Sequence, residues 1–256
     1  MSLLEVNNIT IKFGGLTAVS DFNLKLEKKE IVGLIGPNGA GKTTAFNAIT
    51  GIYKPNSGTV VFDGIDITGI LPDKITKLGI GRTFQNIRLF QNLSVLQNVM
   101  VGHHLRIKSS FISATLRMPG YVKEEKAMEE ETRELLKRVG LIGLAYEKAG
   151  SLPYGQQRRL EIARALATHP KVLLLDEPAA GMNPQEANEL MNFIQQIRDT
   201  FDLTILMIEH HMAVVMGICE RILVLDHGIT IAEGNPEQIR GNQRVVEAYL
   251  GVEEDA

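Results

Sequence analysis

The run Gly36-Pro37-Asn38-Gly39-Ala40-Gly41-Lys42-Thr43-Thr44 gathers three glycines, a lysine and two hydroxyls. Glycine reaches positive φ without steric cost, so such a stretch can turn successive amide N–H groups toward one point. A lysine and a hydroxyl at its end supply what a polyphosphate and its counter-ion need, a reaching positive charge and a hard oxygen ligand. The apolar residues Ile31, Val32, Leu34 and Ile35 precede the run, and Ala45-Phe46-Asn47-Ala48-Ile49 follows it. Strand, glycine turn and helix are the setting in which this pattern becomes a phosphate loop, the helix N-terminus adding its positive end. The alternative is a surface turn carrying an ordinary lysine, and the flanking strand and helix argue against it. The pattern implies binding of a nucleoside triphosphate.

A second group of candidates lies where apolar runs end. Val172-Leu173-Leu174-Leu175 stops at Asp176-Glu177-Pro178. A carboxylate at the carboxyl end of a buried strand beside a phosphate loop can hold Mg²⁺, which makes Asp176 the metal-side residue. Glu177, facing a γ-phosphate, could accept a proton from the attacking water. Acidic pairs after strands often only cap helices. Here Asn183-Pro184-Gln185-Glu186 already supplies a cap, a first-turn proline and an acid for the next helix. Gln85 and His210 also fall after strand-like runs, and donors of their kind suit a γ-phosphate. The pairs His103-His104 and His210-His211 would diverge on a helix, and no cysteine cluster accompanies them. A structural zinc site is therefore not expected.

These residues need an α/β frame to position them. Leu4-Glu5-Val6 and Phe22-Asn23-Leu24-Lys25-Leu26 alternate like half-buried strands, and Thr59–Phe62 ends at the turn pair Asp63-Gly64. A short helix should open at Leu71-Pro72-Asp73, with Asp73 as cap, and close at Gly79. From 95 to 150 the pattern turns helical. Met128, Thr132, Leu135, Leu136 and Val139 recur at helical spacing within a charge-dense stretch, and residues 109–120 read as an irregular connection. Continuous apolar runs return at 172–175, 204–208 and 222–225, separated by helical stretches near 156–168, 185–200 and 210–218. That alternation implies a mostly parallel sheet covered on both faces.

Composition narrows the classes. The chain has 256 residues, is 44% hydrophobic and carries 27 basic against 30 acidic residues, a net charge of −3 that gives no basic field for nucleic acid. The single cysteine, Cys219, precludes an internal disulfide and suits a reducing compartment as a buried thiol. No apolar stretch reaches the ~18 residues of a membrane span, and the N-terminus does not read as a secretory signal. A membrane would enter through a partner. The acidic end Val252-Glu253-Glu254-Asp255-Ala256 reads as frayed.

Leu152-Pro153-Tyr154-Gly155-Gln156 precedes a helix with Leu160, Ala163, Leu166 and Ala167 on one apolar stripe, Gly155 being placed just ahead of it. Together with Gly36–Thr44, Gln85, Asp176-Glu177 and His210, in that order along the chain, this segment resembles the ATP-binding subunits of ABC transporters. The resemblance covers essentially the full length. It implies a P-loop core (1–94 and 151–256) with an antiparallel β-subdomain and a helical insertion (95–150). It also implies two ATPase subunits head to tail, each ATP lying between one subunit's phosphate loop and the other's Gly155–Gln156 segment. By the same resemblance Phe13 would stack on adenine, Gln85 would sense Mg²⁺ and couple to the membrane partner, and His210 would touch the γ-phosphate. Thr43, Gln85 and Asp176 are then the metal-side set.

The runs Arg82–Phe90 and Ala179–Pro184, with the tail Tyr249-Leu250-Gly251, look more narrowly like the branched-chain amino-acid uptake branch. That branch pairs two ATPases on the cytoplasmic membrane face with two permeases and an external binding protein. ATPases of lipopolysaccharide export or urea uptake, and soluble ABC ATPases, are the alternatives. Two departures matter. Pro153 and Tyr154 stand where the signature has serine and glycine, so no serine hydroxyl contact carries over. Asn183 stands where the family has aspartate. The two ATP sites of a heterodimer are then expected to be unequal.

Overall fold

A computed structural model of the chain describes residues 2–106 and 118–250. The chain opens with two long strands, β1 (Leu4–Phe13) and β2 (Leu16–Leu26), that pair antiparallel. With β4 (Ser57–Phe62) and β5 (Ile65–Asp66) they form a four-stranded sheet in the order β2-β1-β4-β5. The turn Asp63-Gly64 has positive φ at both residues, 49° and 79°, the backbone a two-residue hairpin needs.

The second sheet has six strands in the order β10-β9-β3-β8-β7-β6: β3 (Ile31–Ile35), β6 (Ile80–Arg82), β7 (Val172–Asp176), β8 (Thr204–Ile208), β9 (Arg221–Asp226) and β10 (Ile229–Gly234). All neighbours are parallel except β10 with β9. β3, β7 and β8 are fully buried, and their side chains alternate between two cores. Ile31, Ile35, Leu173, Leu175, Ile205 and Met207 join one; Val32, Leu34, Val172, Leu174, Leu206 and Ile208 join the other. Burial on both faces is why these strands read as unbroken apolar runs.

Helices α1 (Lys42–Ile49), α2 (Pro72–Leu78), α3 (Val95–His103), α4 (Pro119–Arg138), α5 (Tyr154–Leu166), α6 (Pro184–Phe201), α7 (Met212–Ile218), α8 (Pro236–Arg240) and α9 (Gln243–Leu250) complete the described residues. Helices α3, α4 and α5 fall in sequence between the paired strands β6 and β7. On α4, Met128, Thr132, Leu135 and Leu136 are buried while the charged positions face outward. Cys219 is buried, and desolvation pushes its thiol up to about 12.

Three local expectations need correction. Leu71, not Asp73, is the N-cap of α2; Pro72 takes the first helical position and Asp73 sits in the first turn near the helix's positive end. Gly155 lies inside the first turn of α5 instead of ahead of it, because Pro153 in extended conformation is the cap. Helix α4 already begins at Pro119, again with proline in the first turn, so the expected irregular connection is shorter at that end. Its portion 109–117, and the acidic residues 252–256, lie outside the described residues.

Candidate functional site

Strand order brings the candidates together. The phosphate loop follows β3, Asp176 ends β7, His210 follows β8 and Gln85 follows β6, and these four strands are neighbours in the sheet. Asp176 and Leu34 both pair with Ile208, so the carboxyl ends of β3, β8 and β7 are level. That end of an open parallel sheet is where ligands bind.

In the loop, Gly36, Gly39 and Gly41 take φ of 146°, 83° and 99°. A Cβ on Gly36 would stand 2.0 Å from the Leu225 carbonyl oxygen, and one on Gly41 would stand 2.6 Å from that of Ala18. Ala40 is buried beneath the turn, while Asn38 and Gly39 form its exposed tip and Pro37 is half-buried. Helix α1 starts at Lys42 without a side-chain cap, which leaves its first amides for an anion. Lys42 Nζ donates to the carbonyls of Gly36 and Pro37, each at 2.8 Å, so the lysine lies back across its own loop. Burial lowers its pKa, against the opposing pull of Glu177 and Asp176. Thr43 is exposed and Thr44 half-buried at the start of the helix.

Gln85, Glu177 and His210, far apart in sequence, meet in one cluster. Gln85 Nε2 donates to Glu177 Oε2 at 2.7 Å, and His210 Nε2 lies 2.8 Å from Glu177 Oε1. Glu177 sits at φ 48°, a left-handed conformation rare for a glutamate, and its amide donates to the Ile208 carbonyl at 2.9 Å. Such backbone strain persists where surroundings over-determine it, and it concentrates at functional sites.

Several residues that motif reasoning did not single out hold this arrangement. Arg82 pairs with Asp176 Oδ2 at 2.8 Å, both side chains nearly buried, and also donates to Asn47 and Thr50 of the α1 segment. Its position at the end of β6 was the available signal. Glu209 is buried; Oε1 accepts from the Ala179 amide at 2.7 Å and Oε2 from the His210 amide at 3.0 Å, which ties the segment after Glu177 to His210. Arg158, on α5, is fully buried against Glu161 and donates to the carbonyls of Phe84 and Gln85, each at 2.9 Å. The Gly36 amide donates to the Tyr249 hydroxyl at 2.9 Å, so α9 contacts the first glycine of the loop.

Other candidates stand apart. Gly155 and Gln156 line a groove with Pro153, Arg159, Met182, Glu186, Glu189 and Leu190, and with no residue of the phosphate loop. Phe13 is 46% exposed and meets Tyr53 edge-on at 5.1 Å, so it is not a core residue. Asn183 caps α6, its side chain accepting from the Glu186 amide at 3.0 Å and Glu186 reaching back to the Asn183 amide.

The family profile described as ABC transporter matches residues 19–180, well over half of the chain. The chain belongs to the ABC transporter ATP-binding family. A second profile, described as branched-chain amino acid ATP-binding cassette transporter, matches residues 230–255 of this cassette. The chain is 46% identical to the high-affinity branched-chain amino acid transport ATP-binding protein BraF of Pseudomonas aeruginosa over 97% of this chain and 98% of that protein. It is 47% identical to LivG of Escherichia coli, over the same shares. Among solved structures, the ADP conformation of MJ1267, an ATP-binding cassette of an ABC transporter, superposes with a TM-score of 0.87 at 33% identity, covering 98% of this chain and 99% of that one. A dimeric post-hydrolysis state of the cassette MJ0796, bound to ADP and Pi, gives 0.73 at 29% identity over 91% of this chain and 98% of its own. The cassette is thus an ATP-binding, ATP-hydrolysing subunit of the ABC class. Among the described residues no helix is long and apolar enough to cross a membrane.

Proposed function

We propose that this cassette is one of two ATPase subunits of an importer for branched-chain amino acids, bound at the cytoplasmic face of the membrane to two permeases that an external binding protein loads. The reading of its chemistry rests on one arrangement: Gln85, Glu177 and His210 in hydrogen-bond contact at the strand ends beside the phosphate loop. The BraF and LivG relatives and the second family profile support the cargo.

In this reading the amides of Gly36–Thr44 receive the phosphates, and Lys42 exchanges its two carbonyl partners for phosphate oxygens. Glu177 accepts a proton from the attacking water, and His210 turns a ring N–H toward the γ-phosphate. Thr43, Asp176 and the amide oxygen of Gln85 offer hard oxygen donors, the chemistry that Mg²⁺ requires, and Gln85 already gives its amide nitrogen to Glu177. Bound there, Mg²⁺ would neutralise phosphate charge. Phe13, exposed at the end of β1, stacks on adenine. Gly155 and Gln156 serve the ATP held by the second subunit. The helical segment 95–150 is a subdomain set into the 1–94 and 151–256 core.

Capture of the cassette with its membrane partners, followed by reconstitution into vesicles, tests the proposal. ATP-driven uptake of leucine, isoleucine or valine, lost with Glu177→Gln, is the expected result. Movement of urea or of a lipid-linked glycan instead would reject the cargo.

A further inference from the structure

Away from the nucleotide site, three residues from separate segments converge: His103 at the end of α3, Glu131 in the middle of α4, and His169 in the turn between α5 and β7. Each offers one ligand atom, and the three atoms lie within 4.8 Å of one another. His103 Nδ1 is 3.6 Å from Glu131 Oε2, and His169 Nε2 is 3.0 Å from Glu131 Oε1. The two imidazoles meet edge-on with centroids 5.7 Å apart. They line a cavity of about 300 Å³ between α4, the end of α5 and the start of β8.

The His103 side chain is 5% exposed, and its Nδ1 stands 3.6 Å from Glu131 Oε2, beyond hydrogen-bond range, so no direct hydrogen bond explains why this buried ring faces the carboxylate. Four-coordinate zinc takes nitrogen and oxygen at roughly 2.0–2.1 Å, which puts tetrahedral ligand atoms ~3.3 Å from one another. The observed 3.0 and 3.6 Å run to different oxygens of Glu131, and the three ligand atoms, within 4.8 Å of one another, need only a small inward movement to reach that spacing. Arg138, the nearby cation on the cavity wall, has Nε 3.7 Å from Glu134 Oε1, so its charge is offset locally. His169 and Glu131 are each about half exposed, at 48% and 49%, which gives their side chains room to close the remaining gap and leaves an approach from solvent.

We propose that His103, Glu131 and His169 bind a zinc-class divalent cation that fastens α3 and α4 to the turn ahead of β7. Two imidazoles and a carboxylate are a donor set that zinc takes with one position left to water. Such a site departs from the expectation, drawn from the adjacent histidine pairs, that the chain has no structural zinc site. The convergence instead uses one member of a pair with a histidine 66 positions further on, which only the fold brings near. The site is independent of the nucleotide chemistry and of the cargo.

Chelator-stripped, full-length cassette titrated with Zn²⁺ by calorimetry, and with Co²⁺ by visible absorption, tests it. One equivalent is expected, with affinity falling at least tenfold in Glu131→Gln and in His169→Asn. Asparagine suits the latter because residue 169 sits at φ 53°. A parallel His210→Ala protein should retain the equivalent, which separates this site from the Glu177 cluster. Zn²⁺ should raise the thermal midpoint of the parent and leave that of His169→Asn unmoved. Absence of a Zn²⁺ equivalent in the parent, or one that survives both substitutions, would overturn the proposal.

Discussion

Gly36 and Gly155 are both glycines near a helix start, yet they meet opposite demands. At Gly36 a Cβ would collide with a backbone oxygen at 2.0 Å and φ is 146°, so the chain's own fold requires glycine there. At Gly155 the backbone is helical, and among the described residues nothing beyond its own turn of helix lies within 4 Å of where a Cβ would stand. The same division separates their surroundings. Gln85, Glu177 and His210 are closed on one another beside the phosphate loop, with Glu209 holding the His210 segment, Arg82 holding Asp176 and Tyr249 holding Gly36. The start of α5 points its open face at a groove and shares no lining with the loop. One region closes on itself within a single chain; the other, in the function proposed above, serves a second subunit.

The largest expected effect lies in the closed region. Glu177→Gln should lower ATP turnover by ~10²–10⁴-fold, the usual worth of a general base, while nucleotide affinity stays near that of the parent. A turnover within a few-fold of the parent, by phosphate release, would remove Glu177 from the role. Next comes the strut between the regions. Arg158→Met leaves Glu161 buried without its partner and releases the carbonyls of Phe84 and Gln85, so stability in urea should fall by ~3–5 kcal/mol. A loss below ~1 kcal/mol would mean that α5 does not hold the Gln85 segment.

Tyr249→Phe removes one hydrogen-bond acceptor from Gly36, worth ~1 kcal/mol, so KM for ATP should rise about fivefold with kcat unchanged. Should kcat fall and KM stay, α9 would act on chemistry instead of loop geometry. The smallest effect belongs to the open region. Pro153→Ser restores a hydroxyl at a position that is exposed in this chain, so the isolated cassette should hydrolyse ATP at an unchanged rate. The rate with its partner subunit should rise by a few-fold. Equal rates for parent and variant in both settings would contradict unequal sites.

The closed region was the more legible in sequence, because each part carries a local signal. Glycines before Lys42, an acid pair after an apolar run, and single polar residues after strands can all be read in a window of a few residues. The parallel sheet was equally legible, since strands buried on both faces leave unbroken apolar runs. What was missed acts across distance. Arg158 carries no local signal, and only the fold shows its guanidinium buried against two carbonyls 73 and 74 positions away. The reach of Glu209 to Ala179 depends on β7 and β8 being adjacent, which no short window of sequence displays. Proline misled at helix starts. Pro72, Pro119 and Pro153 displaced the expected boundaries because its fixed φ suits a cap or a first turn as well as a break.

The division between a self-sufficient loop and an outward-facing glycine is tested most directly by titrating Mg·ATP into the isolated cassette carrying Gly155→Glu. The substitution meets open space and places an acid in the first turn of a helix, so the fold should tolerate it. ATP affinity within about twofold of the parent is the predicted result, with turnover lost only once the second subunit is added. A tenfold or greater loss of affinity in the isolated chain would show that Gly155 serves its own phosphate loop, and the account would fail.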